Sequence, residues 1–156
     1  MTAPFPSPSA EVSGASFRDP SGFVFERGGV LYRQVNRRYA KHFADLHTSG
    51  LYEALTSEKL LVPHERAEIE PPRPDIAEAV IRPQLVPFIS YPYEWCFGQL
   101  RDAAVATLDI QLRAIEHGMV LKDASAFNIQ YLDGRPVLID TLSFENYRDG
   151  QPWTAY

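Results

Sequence analysis

Three polar side chains in the last quarter of the chain have the types and spacing for phosphate chemistry. Asp123 is followed five residues later by Asn128, and Asp140 comes twelve after that. In phosphoryl transfer one carboxylate orients or deprotonates an acceptor hydroxyl, while an amide and a second carboxylate hold magnesium on the nucleotide phosphates. On this reading Asp123 is the candidate base, and Asn128 and Asp140 are the candidate magnesium ligands. The same residue types also satisfy backbone groups in turns, and Asp123 can cap a short helix through Ala124-Ser125-Ala126. Both readings depend on what positions the three groups.

Ile129 and Tyr131 on one side, and Val137 to Ile139 on the other, flank Asp133-Gly134, a two-residue turn signal for a β-hairpin. A tight hairpin returns its two ends to each other. Asn128 and Asp140 are therefore expected side by side, with Asp123 on the loop just before. Upstream, the spacing predicts a long helix with Leu100, Ala103, Ala104, Thr107, Leu108, Gln111, Ala114 and Ile115 facing inward. Gly118 ends it after His117. Before the helix, Tyr91-Pro92-Tyr93-Glu94-Trp95 reads as a rigid aromatic elbow. Ala79-Val80-Ile81 and Leu85 to Ser90 read as two extended pieces around Pro83.

Strand, elbow, long helix, acidic loop and hairpin come in an order that resembles the protein kinase-like fold, small-molecule phosphotransferases included. The likeness is partial. Leu121 stands where those families place a His, and Thr141-Leu142 where protein kinases place Phe-Gly. Arg33 is the candidate on the first hairpin for the strand lysine that pairs with the phosphates. The expected fold class is α+β: a partial protein kinase-like fold with a small antiparallel sheet, helices and a C-terminal β-hairpin. Mg-ATP is the cofactor this resemblance implies.

The rest of the chain is read around that frame. Residues 1–15 are rich in Pro, Ser and Ala and are expected to form a disordered tail, leaving 16–156 as one module. Phe23 to Phe25 and Val30 to Tyr32 surround Gly28-Gly29 as a hairpin. Asn36 is expected to cap a helix carrying Tyr39, Phe43 and Leu46, and a second short helix turns Leu51, Leu55 and Leu60 inward. Residues 62–78, acidic and proline-rich, read as a linker or surface loop.

Composition narrows the classes of function. With 45% hydrophobic and 22% charged residues the chain has the make-up of a globular protein. A net charge of −5 and no basic stripe argue against nucleic acid as a partner. Arg33, Arg37, Arg38 and Lys41 read as a solvated helix face. Cys96, between Trp95 and Phe97, is expected to be a buried, inert thiol. His42 and His47 are five apart and point apart on a helix, so the histidines suggest no metal site. No leader or membrane-length apolar run is evident, and a cytoplasmic location is expected.

A second resemblance covers nearly the whole chain after residue 15. It is carried by Phe17 to Gly22, Leu31 to Asn36, Ser49 to Tyr52, Val86 to Trp95, Leu121 to Gln130 and Gly134 to Glu145. These runs resemble the N-terminal region of a bacterial family of class I S-adenosylmethionine-dependent methyltransferases. The resemblance implies a module that positions a substrate or partner for a methyltransferase domain that is not in this chain. S-adenosylmethionine would then be a cofactor of the longer protein only. The chain has no Gly-rich strand-to-helix turn of the kind that binds such cofactors. Three readings stand at this point: the positioning module, a Mg-nucleotide phosphotransferase (active or degenerate), and a purely structural or interaction module. The first implies the methyltransferase domain, or another protein, as partner. Helices that complete a kinase-like second lobe are expected to be missing from this chain, and the apolar surface so exposed to favour self-association.

Overall fold

The structure is a computed structural model and describes residues 11–12 and 19–154. The remainder of the expected tail lies outside the described residues. The chain divides into two units: residues 1–40 with 64–83, and residues 41–63 with 84–156. The architecture is α+β, with small antiparallel sheets and a C-terminal hairpin, as the sequence predicts.

The first unit is a five-stranded antiparallel sheet of β1 (Glu11–Val12), β2 (Gly22–Arg27), β3 (Val30–Asn36), β4 (His64–Arg66) and β5 (Ala77–Pro83). The spatial order is β1-β2-β3-β5-β4. Gly28 and Gly29 both have positive φ, 61° and 75°, which is the turn geometry that matches the twist of a tight hairpin. Phe23, Phe25 and Val80 form a buried cluster on this sheet.

The structure modifies three expectations in this unit. Of residues 62–78, expected as a linker or surface loop, 67–76 form a loop in which no residue is buried, while β4 pairs with β5 and two side chains fasten the stretch between them. Gln34, buried, donates from its amide to the Arg73 carbonyl (3.1 Å) and accepts from the Arg73 N–H (2.9 Å). The Arg37 guanidinium donates to the carbonyls of Asp75 and Ala77. Of the basic cluster, Arg37, Arg38 and Lys41 are exposed on helical turns, as expected, whereas Arg33 lies on β3 and pairs with Asp19 at 3.6 Å. Asn36 caps nothing with its side chain. Its amide donates to the Pro20 carbonyl and its oxygen accepts from Gln34.

The second unit carries α1 (Ala40–Thr48), α2 (Leu51–Ser57), α3 (Phe97–Glu116), β6 (Met119–Leu121), β7 (Ile129–Leu132), β8 (Arg135–Leu138) and β9 (Phe144–Asn146). β6 pairs with β9 and β7 with β8, both antiparallel. One core joins Leu46, Leu51, Leu55, Leu61, Trp95, Ile110, Met119, Leu121, Ile129, Leu138 and Phe144. Residues 60–62 run along β8, with the Leu138 N–H donating to the Leu60 carbonyl and the Val62 N–H to the Leu138 carbonyl, each at 2.9 Å. Asn146 ties β9 to α1 by donating to Asp45 (2.7 Å), which also takes Lys41 at 2.6 Å. The Lys41 and Asn146 hydrogen bonds hold the Asp45 carboxyl below the usual carboxylate range.

α3 is rotated from its expected setting. It buries Ala103, Ala106, Ile110, Gln111 and Ala114, while Leu100, Leu108 and Ile115 are exposed. The helix has two apolar faces, and the one rich in alanine faces the core; small side chains let its backbone approach its neighbours closely. Cys96 is also exposed, against expectation. Trp95 takes the inward position there, its ring edge-on to Tyr131 at 5.3 Å and its indole N–H donating to the Ser90 hydroxyl. Leu85 to Ser90 form no strand. Among the described residues no helix is long and apolar enough to cross a membrane.

His47 sits between the rings of Phe43 (5.0 Å) and Tyr52 (4.5 Å), and burial holds its pKa below the ordinary 6.5. A depressed folded-state pKa means that the unfolded chain binds the proton first. The His47 contribution to stability is therefore complete above pH ~6.5 and is lost as pH falls through the folded-state value. Urea midpoints across this range should fall with acidification in the wild type, and less steeply in His47→Gln. Parallel curves for the two proteins would contradict this.

Candidate functional site

β6 and β9 are the clamp that gathers the three candidate residues. Pairing Leu121 with Phe144 closes the chain between them into an excursion that begins and ends at one place. The Lys122 N–H extends the ladder by donating to the Ser143 carbonyl at 2.8 Å. Asp123 follows directly. A 3-10 turn over Ala126–Asn128 then leads into the β7–β8 hairpin, with Asp133 and Gly134 at its tip, both with positive φ. The Ile139 N–H donates to the Asn128 carbonyl at 2.8 Å, so the hairpin ladder runs on to the foot where Asn128 and Asp140 stand.

All three candidates are half-buried. Asp123 accepts the Ser125 N–H on Oδ1 at 3.0 Å, and Asp140 accepts the Leu142 N–H on Oδ1 at 2.8 Å. These are the local turn bonds expected of aspartates entering short helical turns. The Asn128 amide lies 3.5 Å from the Ser143 hydroxyl, at the limit of a hydrogen bond. The placement of Asn128 and Asp140 at one hairpin foot, with Asp123 on the neighbouring loop, is the one expected from the sequence.

Two residues that the sequence reading passed over organise the site. Ser143, fully buried, joins three parts of the junction: its carbonyl accepts the Lys122 N–H, its N–H reaches the Asp140 carbonyl (3.2 Å), and its hydroxyl faces Asn128. The signal was a lone hydroxyl between Leu142 and Phe144. Gln130 is buried on β7 and holds the segment before the elbow. It accepts the Ser90 N–H and donates to the Ser90 carbonyl, both at 2.9 Å, doing with a side chain what a strand partner would do.

Beside Lys122 runs a groove of about 260 Å³, with Gln111, Tyr147, Arg148 and Trp153 among its walls. The Trp153 indole donates to the Leu121 carbonyl at 2.9 Å, and Gln111 accepts the Leu121 N–H at 2.8 Å. A wider cleft, about 940 Å³, lies in the sheet unit among Arg27, Arg37, Arg38 and Pro71 to Pro74, and holds none of the three candidates.

Magnesium prefers oxygen donors and completes its octahedron with water and phosphate oxygens. One amide oxygen and one carboxylate at the hairpin foot fit that preference in kind. Among the described residues no three His, Cys, Asp or Glu side chains gather as a metal group. Arg33, the candidate for the phosphate-pairing cation, belongs to the sheet unit.

No family model matches the chain. The chain is similar to the nodulation protein NoeA of Rhizobium meliloti (strain 1021), with 37% identity over 160 residues. That match takes in 100% of this chain and 32% of NoeA. The chain thus spans about a third of the length of this curated relative, and is a relative of part of a larger bacterial protein.

Proposed function

We propose that this chain is the N-terminal substrate- or partner-positioning module of a class I S-adenosylmethionine-dependent methyltransferase-type protein, without methyl transfer of its own. The observation that carries the reading is the use of the whole chain in a match to 32% of a longer protein. The runs that resemble the methyltransferase family's N-terminal region support it. Among the described residues, Gly28-Gly29 and Asp133-Gly134 close hairpins and no Gly-rich turn joins a strand to a helix, so none of them fits S-adenosylmethionine. Methyl transfer therefore falls to the rest of the longer protein, in the cytoplasm, and this module presents the acceptor or partner through the Asp123, Asn128 and Asp140 junction.

One observation favours a second reading. Asn128 and Asp140 close the same hairpin foot, so a Mg-nucleotide phosphotransferase would take Asp123 as base and those two as metal ligands. Magnesium bound there would neutralise phosphate charge.

Two measurements separate the readings. Under the first, magnesium with ATP leaves the melting temperature unchanged. Under the second, ligand at a hundredfold excess over its Kd adds about 2.7 kcal/mol of stability. Asp123→Ala removes one half-exposed turn bond and should cost about 1 kcal/mol, leaving the chain folded by circular dichroism. In a full-length polypeptide carrying this module, the same substitution should abolish methyl transfer from S-adenosylmethionine. Full methyl transfer by the Asp123→Ala protein would defeat the positioning role.

A further inference from the structure

The outward face of α3 carries a row of large apolar side chains that the described residues leave exposed. Phe97 is 81% exposed, Val105 52%, Leu108 54%, Leu112 61% and Ile115 44%. At the angular step of a helix these five fall within roughly 80° of its circumference. The opposite face is already committed to the core through Ala103, Ala106, Ile110 and Ala114. Val105, Leu108, Leu112 and Ile115 advance by three, four and three residues. That is the seam on which one helix receives another.

The chemistry along the seam selects the occupant. Asp102, Asp109 and Glu116 recur every seven residues along one edge. Asp102 is neutralised by Arg101 (2.7 Å), and Arg113 bridges Glu116 and Glu58 (3.2 Å each). Asp109 makes no ion pair among the described residues. Beside Leu112 lies a hollow of about 380 Å³ whose rim includes Glu58, Asp109, Glu116 and Arg113, three carboxylates around one guanidinium. A Lys or Arg side chain reaching into it would meet surplus negative charge. A second copy of α3 brings only Arg101 and Arg113, each already paired with acidic side chains of its own chain. An antiparallel pair sets the two acidic edges against each other, and a parallel pair sets that edge against Ala104 and Gln111, which offer no counter-charge.

The geometry points to a docking seam on α3 for an amphipathic helix, apolar at three- and four-residue steps and with a basic residue opposite Asp109. The longer homologous polypeptide supplies this helix from outside the third that matches this chain. The inference rests on the positioning-module reading and gives that module its contact surface.

The test is to co-express this chain with NoeA lacking its matched third, and to follow complex formation by light scattering and calorimetry. A one-to-one complex is expected. Leu108→Lys should weaken it at least a hundredfold, and Asp109→Lys about tenfold, with melting temperatures unchanged because both positions face solvent. Val105→Lys provides a second seam variant should Leu108→Lys misfold. No complex, or one indifferent to these substitutions, overturns the proposal. A dimer of the chain alone that Leu108→Lys dissolves does so as well, since the occupant would then be a second copy. S-adenosylmethionine binding by the NoeA remainder is read separately. A remainder that docks but does not bind it leaves the seam standing and removes the methyltransferase reading; one that binds it but ignores α3 does the reverse.

Discussion

Phe144→Ala should destabilise the helical unit by about 3–5 kcal/mol, the range for emptying a large buried aromatic site. Phe144 is fully buried, opens β9 opposite Leu121 on β6, and belongs to the cluster that holds Ile110, Met119 and Ile129. Small domains are stable by only about 5–15 kcal/mol, so this change consumes a large share of the margin. It also loosens the clamp that gathers Asp123 and Asp140. Urea denaturation should show a much lower midpoint with an unchanged slope. A loss under about 1 kcal/mol would mean that the site collapses around the missing ring and that β9 is not held by its core contact.

The second large effect is expected at Gln130. Its amide satisfies both backbone groups of Ser90, and alanine there leaves an N–H and a carbonyl without partners. Unpaired buried groups cost about 1–3 kcal/mol each. Ser90 is half-buried and water can recover part of this, so a net loss of about 2 kcal/mol is expected for Gln130→Ala. The damage should be local. Hydrogen exchange at Ser90 and at the Trp95 indole, which donates to the Ser90 hydroxyl, should accelerate while β6 and β9 stay protected. Gln130→Glu keeps the acceptor for the Ser90 N–H but turns a second carboxylate oxygen toward the Ser90 carbonyl. It should recover little of the lost stability. Unchanged exchange at Ser90 in the alanine variant would show that the segment before the elbow is held by other contacts.

The parts of the fold that local chemistry dictates were legible in the sequence. Asp133-Gly134 and Gly28-Gly29 each have two residues of positive φ, and few dipeptides accept that, so the turns and the adjoining strands follow from them. The same turn chemistry brings Asn128 and Asp140 together. The long helix ends where Gly118 allows it to, and α2 buries Leu51 and Leu55 as its spacing requires.

What escaped depends on partners distant in the chain. β6 and β9 are three residues each, too short to show an alternation, and exist because each completes the other across the excursion. β4 hides in a proline-rich acidic stretch, because an edge strand needs few apolar residues when a neighbour supplies its hydrogen bonds. The core-facing side of α3 is not legible because hydrophobic periodicity records that a face is apolar and not what meets it. Alanines win the core side by allowing close approach, and the leucines remain outside. Flanking aromatics do not bury Cys96, because Trp95 turns in and its neighbours turn out.

The clamp of β6 on β9 has an engineering consequence. Its two anchor points are fixed by their own pairing, and the tip at Asp133 and Gly134 is exposed at the far end of the excursion. Lengthening a closed loop costs only about 0.6 kcal/mol per doubling. A reporter peptide or fluorophore grafted at that tip would ride on the hairpin, remote from its anchors, and could signal what arrives at its base.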